Sequence, residues 1–284
     1  MNFILNEKSL HGQFESTDDF LKSLDANLKC FNLVRSQEDG EIRKIADFYK
    51  CKITKKISLG DLKQYPRSDE LSRLRIALDK EIRTEPYWDF APEHNYGMTY
   101  WMGEEDMAAT AVAEAAARQE PLLSFDSDVY SDRRLCIKCA GEEYSVVSVY
   151  HPAYLVEHFG GQMGLERDMC LKARYAGTRM DCSLLEKEYG AEHLEQDEYA
   201  LLIGTLDKFV KHESWESIGL DDGLEYKKYT PSSAEEDWFR NSAYRDMTIM
   251  KFRFSSRMRC FGYRKGDRFR LLRIERDHKR SNKG

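Results

Sequence analysis

The segment from Lys251 to Arg276 constrains the fold more than any other. Lys251, Phe252, Arg253 and Phe254 alternate charge and ring. A period of two is a strand signal, and it places Phe252 and Phe254 on one face and Lys251 and Arg253 on the other. Arg257 to Tyr263 continues as a second strand, with Arg257, Arg259, Phe261 and Tyr263 sharing a face. Arg264, Lys265, Gly266 and Asp267 supply turn chemistry. Residues 268–276 then return as a third strand. The expectation is a small antiparallel meander with one apolar face and one basic face.

The charge is split along the chain. Residues 240–284 hold fifteen Lys or Arg against four Asp or Glu, a net of +11, while the whole chain carries −6. Residues 1–239 therefore carry −17. Two readings of this split stand side by side. The basic part meets a polyanion, or it is neutralised by the chain's own acidic body. The 16 Tyr, 14 Phe and 4 Trp exclude a disordered chain, and 17 Gly with 6 Pro exclude a collagen-like one. A length of 284 residues allows one large domain or two ordinary ones. Seven irregularly spaced cysteines, an odd number, suit reduced thiols better than a disulfide framework. Residues 1–8 lack a signal-peptide pattern, and no run approaches the roughly 18 apolar residues of a span. A cytoplasmic protein without membrane contact is expected.

Along the remainder, Ser16 to Asp19 starts a helix that includes Phe20, Leu21, Leu24 and Leu28, with a strand expected at residues 31–34. Residues 68–83 read as a helix capped by Ser68, and Pro86 to Pro92 as an aromatic connector. Residues 104–119 read as an alanine-rich helix, residues 122–125 as a buried strand, and residues 134–149 as a hairpin around Gly141. A helical stretch begins at His151 and Pro152, and another covers residues 183–213. The polar stretch 215–233 reads as a linker.

The run MKFRFSSRMRCFGYRKGDRFRLLRIERDHKRSN resembles the terminal strands of the RelE-like toxin sheet. The likeness lies in an Arg–aromatic–Gly strand, a hairpin, and a final strand leading into Asp277, His278 and Lys279. More loosely, the whole chain resembles bacterial toxin and phage-defence effectors. The resemblance implies metal-free RNA cleavage, in which a base takes the 2′-OH proton and cations hold the charged transition state. It implies Arg259, Tyr263, Arg273 and His278 as catalytic groups. Lys251, Arg253, Arg257, Arg264, Lys265 and Lys279 would hold nucleic acid, with rings stacking on bases. The some 240 residues ahead of the sheet are not accounted for by a small free-standing toxin domain.

Other constellations compete. Cys136 and Cys139 have zinc-knuckle spacing, which Cys170, Cys182 and His151 could complete. Glu114 with Asp126 and Asp128 offers carboxylates of the kind that hold Mg²⁺. Neither is favoured as a metal site, and no cofactor is expected. No Ser or Cys sits in a nucleophile-elbow context, and no glycine-rich phosphate loop is present.

The sequence therefore leads to an α+β protein. An acidic body, residues 1–220 with a possible sub-boundary near 86–95, precedes a basic β-meander, residues 234–284. The expected function is that of a nucleic-acid-directed toxin or antiviral effector cleaving RNA, more readily than DNA, on the C-terminal sheet. The first alternative is a non-catalytic subunit that binds nucleic acid or a protein such as an antitoxin. The second is a nucleotide-modifying transferase with its site in residues 95–160.

Overall fold

The computed structural model describes residues 1–64 and 69–279. The chain is α+β and divides into two compact units, Met1–Leu165 and Glu166–Gly284. Residues 166–233 thus belong to the same unit as the C-terminal sheet, and the possible sub-boundary near 86–95 falls within the first unit. No helix among the described residues is long and apolar enough to cross a membrane.

The first unit is built on β1 (Phe3–Leu5), α1 (Thr17–Arg35), β2 (Ile42–Arg43), α2 (Asp69–Arg83), β3 (Trp101–Met102), β4 (Glu105–Asp106), α3 (Ala111–Arg118), β5 (Leu122–Leu123), β6 (Arg133–Cys139), β7 (Glu142–Val149) and α4 (Pro152–Phe159). Its sheet runs β2-β1-β5-β7-β6-β3-β4. The strands β2, β1, β5 and β7 are mutually parallel, whereas β6, β3 and β4 add antiparallel.

α1 starts where expected, with the Ser16 side chain accepting from the Asp19 amide. It then runs through residues 31–34, expected as a strand, because Phe31 and Val34 extend the buried stripe of Phe20, Leu24 and Cys30. The expected cap of α2, Ser68, lies outside the described residues. Residues 104–106 are strand, not helix. Gly103 and Ala109 both take positive φ, which breaks the helical run and confines α3 to its alanine core. Ala140 and Gly141, also at positive φ, close the β6–β7 hairpin.

The second unit contains α5 (Arg167–Arg174), β8 (Met180–Asp181), α6 (Gln196–Lys211), α7 (Trp215–Gly219), β9 (Lys227–Lys228), β10 (Met250–Arg253), β11 (Arg259–Lys265) and β12 (Arg268–Glu275). β9 to β12 form an antiparallel meander, and β8 joins β12 in parallel at its edge. The stretch read as a linker supplies α7 and β9. Only residues 196–211 of the expected helix 183–213 are α-helical, preceded by two 3-10 turns.

Both faces of this sheet are covered. Phe252, Phe254, Cys260, Phe269, Leu271 and Ile274 pack with Leu202, Leu206 and Phe209 of α6. Phe261 and Leu272 pack on the other face with Tyr229, Phe239 and Ile249. The expected basic face is thus a second interior. A bulge lies between Phe261 and Gly262. Gly262 is required there, since a Cβ would lie 2.0 Å from the Arg270 carbonyl oxygen.

Candidate functional site

The register sets Lys251, Phe261 and Arg273 in one cross-strand row and Arg253, Arg259 and Glu275 in another. The side chains expected to share a face do share it, but the chain itself covers them. Arg273 is buried. It pairs with both oxygens of Glu186 at 3.0 Å and lies against Phe239, Tyr189 and Trp238, with ring centroids 4.4, 4.7 and 5.1 Å away. Its guanidinium also donates to the Trp238 carbonyl. Arg259 is buried too, with Nη1 donating to the carbonyls of Ser255 at 2.9 Å and Met258 at 3.0 Å. It pins the β10–β11 turn.

Among the proposed catalytic set, the structure brings together Arg259 and His278, whose Nη2 and Nε2 lie 3.4 Å apart. Arg257 is exposed beside them, in a 390 Å³ cleft with Glu198, Arg276 and Asp277. Tyr263 is half-buried against Tyr244, four residues along β11 and so roughly 13 Å away at about 3.3 Å per residue. The four groups therefore do not converge on one groove, because Arg273 and Tyr263 are drawn under the aromatic cover of residues 229–249.

The expected nucleic-acid contacts are also partly committed. Lys251 is buried over the Tyr229 ring, and burial, then Lys227 and Arg259, push its amine below the ordinary value. Arg253 pairs with Glu225 at 2.6 Å and donates to the Gly223 and Asp222 carbonyls. Arg264 stacks on Trp215 at 4.3 Å. Lys279 pairs with Asp277. Arg270 and Arg276 likewise find Asp181 and Glu198. Across Glu166–Gly284 there are 24 Lys or Arg and 22 Asp or Glu, a net of only +2. Of the two readings of the charge split, internal neutralisation therefore accounts for most of the basic excess.

The metal candidates separate. Cys136 and Cys139 both lie in β6, three residues apart, so they point to opposite faces, one exposed and one buried. Cys182 is buried and its thiol is pushed up by that burial. Glu114 is buried on α3, accepting from the Glu93 and His94 amides, His94 Nδ1 at 2.5 Å and Arg118 Nε at 2.5 Å. Burial works to raise its carboxyl, but these bonds outweigh it and hold it below the ordinary value. With its lone pairs so committed, it is a structural anchor for the 91–94 loop. Asp126 and Asp128 are exposed in the loop after β5. Among the described residues no three His, Cys, Asp or Glu side chains are grouped to hold a metal.

A different pair stands out in the first unit. Ligands of open sheets collect at the carboxyl ends of parallel strands. Here Asn6 follows β1, Ser124 follows β5, and Tyr150 and His151 follow β7. Asn6 donates to Ser124 Oγ at 2.9 Å, and Ser124 Oγ lies 2.7 Å from Ser148 Oγ, tying the strand ends together. Asp132, in the left-handed region at φ 49, precedes β6. Its Oδ1 accepts from the Tyr150 and His151 amides at 2.8 and 2.9 Å, and its Oδ2 lies 2.5 Å from His151 Nδ1. The His151 side chain is 55% exposed, and its Nε2 has no hydrogen-bond partner among the described residues. A carboxylate on Nδ1 fixes the tautomer and leaves the Nε2 lone pair outward. The pairing was legible in principle. A hairpin closed at 140–141 pairs Arg133 with Ser148, which brings Asp132 and His151 to its open end.

Compared with known proteins, the chain matches no family model, no curated protein sequence and no solved structure. The likeness to a RelE-like sheet rests on the pattern of the C-terminal strands alone.

Proposed function

We propose that the chain is an enzyme acting on a phosphate-bearing substrate of the nucleotide class, with His151 as its general acid–base group. The observation that carries this is the Asp132–His151 contact, which orients an exposed imidazole at the carboxyl ends of parallel strands. The phosphate preference is supported by the surroundings. The Ala153 and Tyr154 amides at the start of α4 take no acceptor among the described residues, and Arg134, two residues after Asp132 and within β6, acts electrostatically on Tyr154. Incubating the full chain with ribonucleoside triphosphates and a short single-stranded RNA, then analysing products by mass spectrometry, tests the reading. Turnover by the wild type that falls about 10²–10⁴-fold in His151→Ala is expected. No product from folded wild type, or an unchanged rate in the variant, would refute it.

A second reading is favoured by a separate observation. Arg257, Lys265, Arg268 and Lys228 are exposed and take no ion pair among the described residues. These four could dock RNA or an acidic protein, in the toxin or antiviral setting that the terminal strands suggest. RNA affinity that is lost when all four are changed to Ala supports this reading, and affinity that persists opposes it.

A further inference from the structure

The polar stretch between α6 and β9 holds a second reactive array. His212 follows the last turn of α6, Ser217 lies in α7, and Asp221 follows α7. Ser217 Oγ lies 3.0 Å from His212 Nδ1, and His212 Nε2 lies 2.9 Å from Asp221 Oδ2. Serine, imidazole and carboxylate are each within hydrogen-bond reach of the next. The order of groups is that in which a histidine takes a serine proton while a carboxylate fixes the ring, with the two ring nitrogens exchanged: Ser217 faces Nδ1 and Asp221 faces Nε2.

Asp221 is firmly held. Its Oδ1 accepts from Lys208 Nζ at 2.6 Å and from the amides of Gly223 at 2.8 Å and Leu224 at 3.2 Å. Burial would raise its carboxyl, but the bonds from Lys208 and His212 bring it down to about 2. It is therefore ionised at neutral pH and can only accept. His212 must then donate from Nε2, which leaves Nδ1 as the acceptor facing Ser217. The Ser217 hydroxyl has a rival acceptor, the Ser214 carbonyl at 2.8 Å. A hydroxyl proton rotates between two such acceptors without moving its oxygen. Ser217 and His212 are both half-buried and so reachable from solvent.

We infer that Ser217 is a nucleophile toward activated carboxylic esters, with His212 as its base and Asp221 as the positioning residue. In acylation the Ser217 Oγ–carbon bond forms as the ester C–O bond breaks. The serine proton passes to His212 Nδ1 and from there to the departing alkoxide. Water then attacks the acyl-serine, His212 takes the water proton, and that proton returns to Ser217 Oγ as the carboxylic acid leaves.

The test is a fluorophosphonate probe on the full chain, with mass spectrometry to locate the adduct. The probe loses fluoride as the serine oxygen bonds phosphorus, so it needs the same nucleophile and base but no knowledge of the natural ester. One adduct at Ser217 is expected, absent in Ser217→Ala and formed about 10²–10⁴-fold more slowly in His212→Ala. Asp221→Asn keeps an oxygen for the turn amides. It should lower the labelling rate, since the ring loses the partner that orients it. Thermal melting of each variant separates loss of reactivity from loss of fold. No adduct on folded wild type, an adduct at another residue, or labelling that survives His212→Ala would overturn the assignment. Labelling of Ser217 does not depend on the His151 chemistry, so either can fail alone.

Discussion

The two sheets treat charge in opposite ways. In the first unit the central parallel strands β1 and β5 are apolar and buried, and polar groups gather where the parallel strands end, around Asn6, Ser124, Asp132 and His151. In the second unit charges lie within the strands themselves. Those of Arg253, Arg259, Arg270 and Arg273 are met by a carboxylate, a carbonyl or a ring of the same unit, whereas Lys228, Lys265 and Arg268 at the strand ends stay exposed. A histidine at a strand end keeps one nitrogen for an outside partner. An arginine in a strand covered on both faces does not. Basic sequence is therefore a poor guide to basic surface when the partners lie far off in the chain. Arg273 and Glu186 are 87 residues apart.

This contrast can be broken at its strongest point first. Arg273→Ala would leave Glu186 without its cation and empty the space between Tyr189, Trp238 and Phe239. Arg273 is buried but Glu186 only partly so, so the cost should fall at or below the low end of the roughly 3–5 kcal/mol for breaking a buried pair, still enough for the second unit to unfold at lower denaturant. Arg273→Met, which keeps the packing, should cost less. Equal, negligible losses in both would show that the sheet does not depend on its internal charges.

In the first unit Glu7 caps the Ala111 amide at 2.8 Å, and burial raises its carboxyl from 4.5 to about 7. The folded state then holds a proton that the unfolded state has lost between those two values. This group's contribution is fully present below about pH 4.5, declines as pH rises, and levels off above about pH 7. At 1.36 kcal/mol per unit, the decline is about 3 kcal/mol. Glu7→Gln should remove it, so the variant gains on the wild type as pH rises from 5 to 8 in urea titrations. A constant difference across that range would contradict the assignment.

The salt dependence of RNA binding sharpens the comparison further. Each phosphate neutralised on a single strand contributes about 0.7 to the log–log slope. The four exposed cations without an ion pair among the described residues give a slope near 3, whereas a basic excess of +11 wholly open to RNA would give about 8. The smallest effect should be on stability in Arg257→Ala. Arg257 is exposed and takes no ion pair among the described residues, so the melting point should hardly move.

Local patterns carried the parts of the fold that depend on near neighbours. The period-two runs at 250–275, the turns at Gly141 and Gly266, and the Ser16–Asp19 start of α1 were all legible in this way. Residues 104–106 misled because the helix-forming pattern of 104–119 does not reveal the positive φ of Gly103 and Ala109. The covering of the basic face could not be read either. It depends on residues 229–249 folding back over the strands, and a polar stretch with Gly223 and Pro231 looks the same as a linker. The face shared by Lys251, Phe261 and Arg273 was thus correctly sided, but its environment was not. The Asp132–His151 pair went unnoticed because each residue alone is unremarkable. Only the hairpin register joins them.

The central claim is that the acid–base chemistry resides at the strand ends of the first unit and not among the cations of the second. The most direct measurement compares His151→Ala and His278→Ala beside the wild type, on nucleotide and RNA substrates, with a melting curve for each. The account predicts a rate about 10²–10⁴-fold lower in His151→Ala and a near wild-type rate in His278→Ala. Loss of turnover in His278→Ala, with His151→Ala still active and both proteins folded, would contradict it.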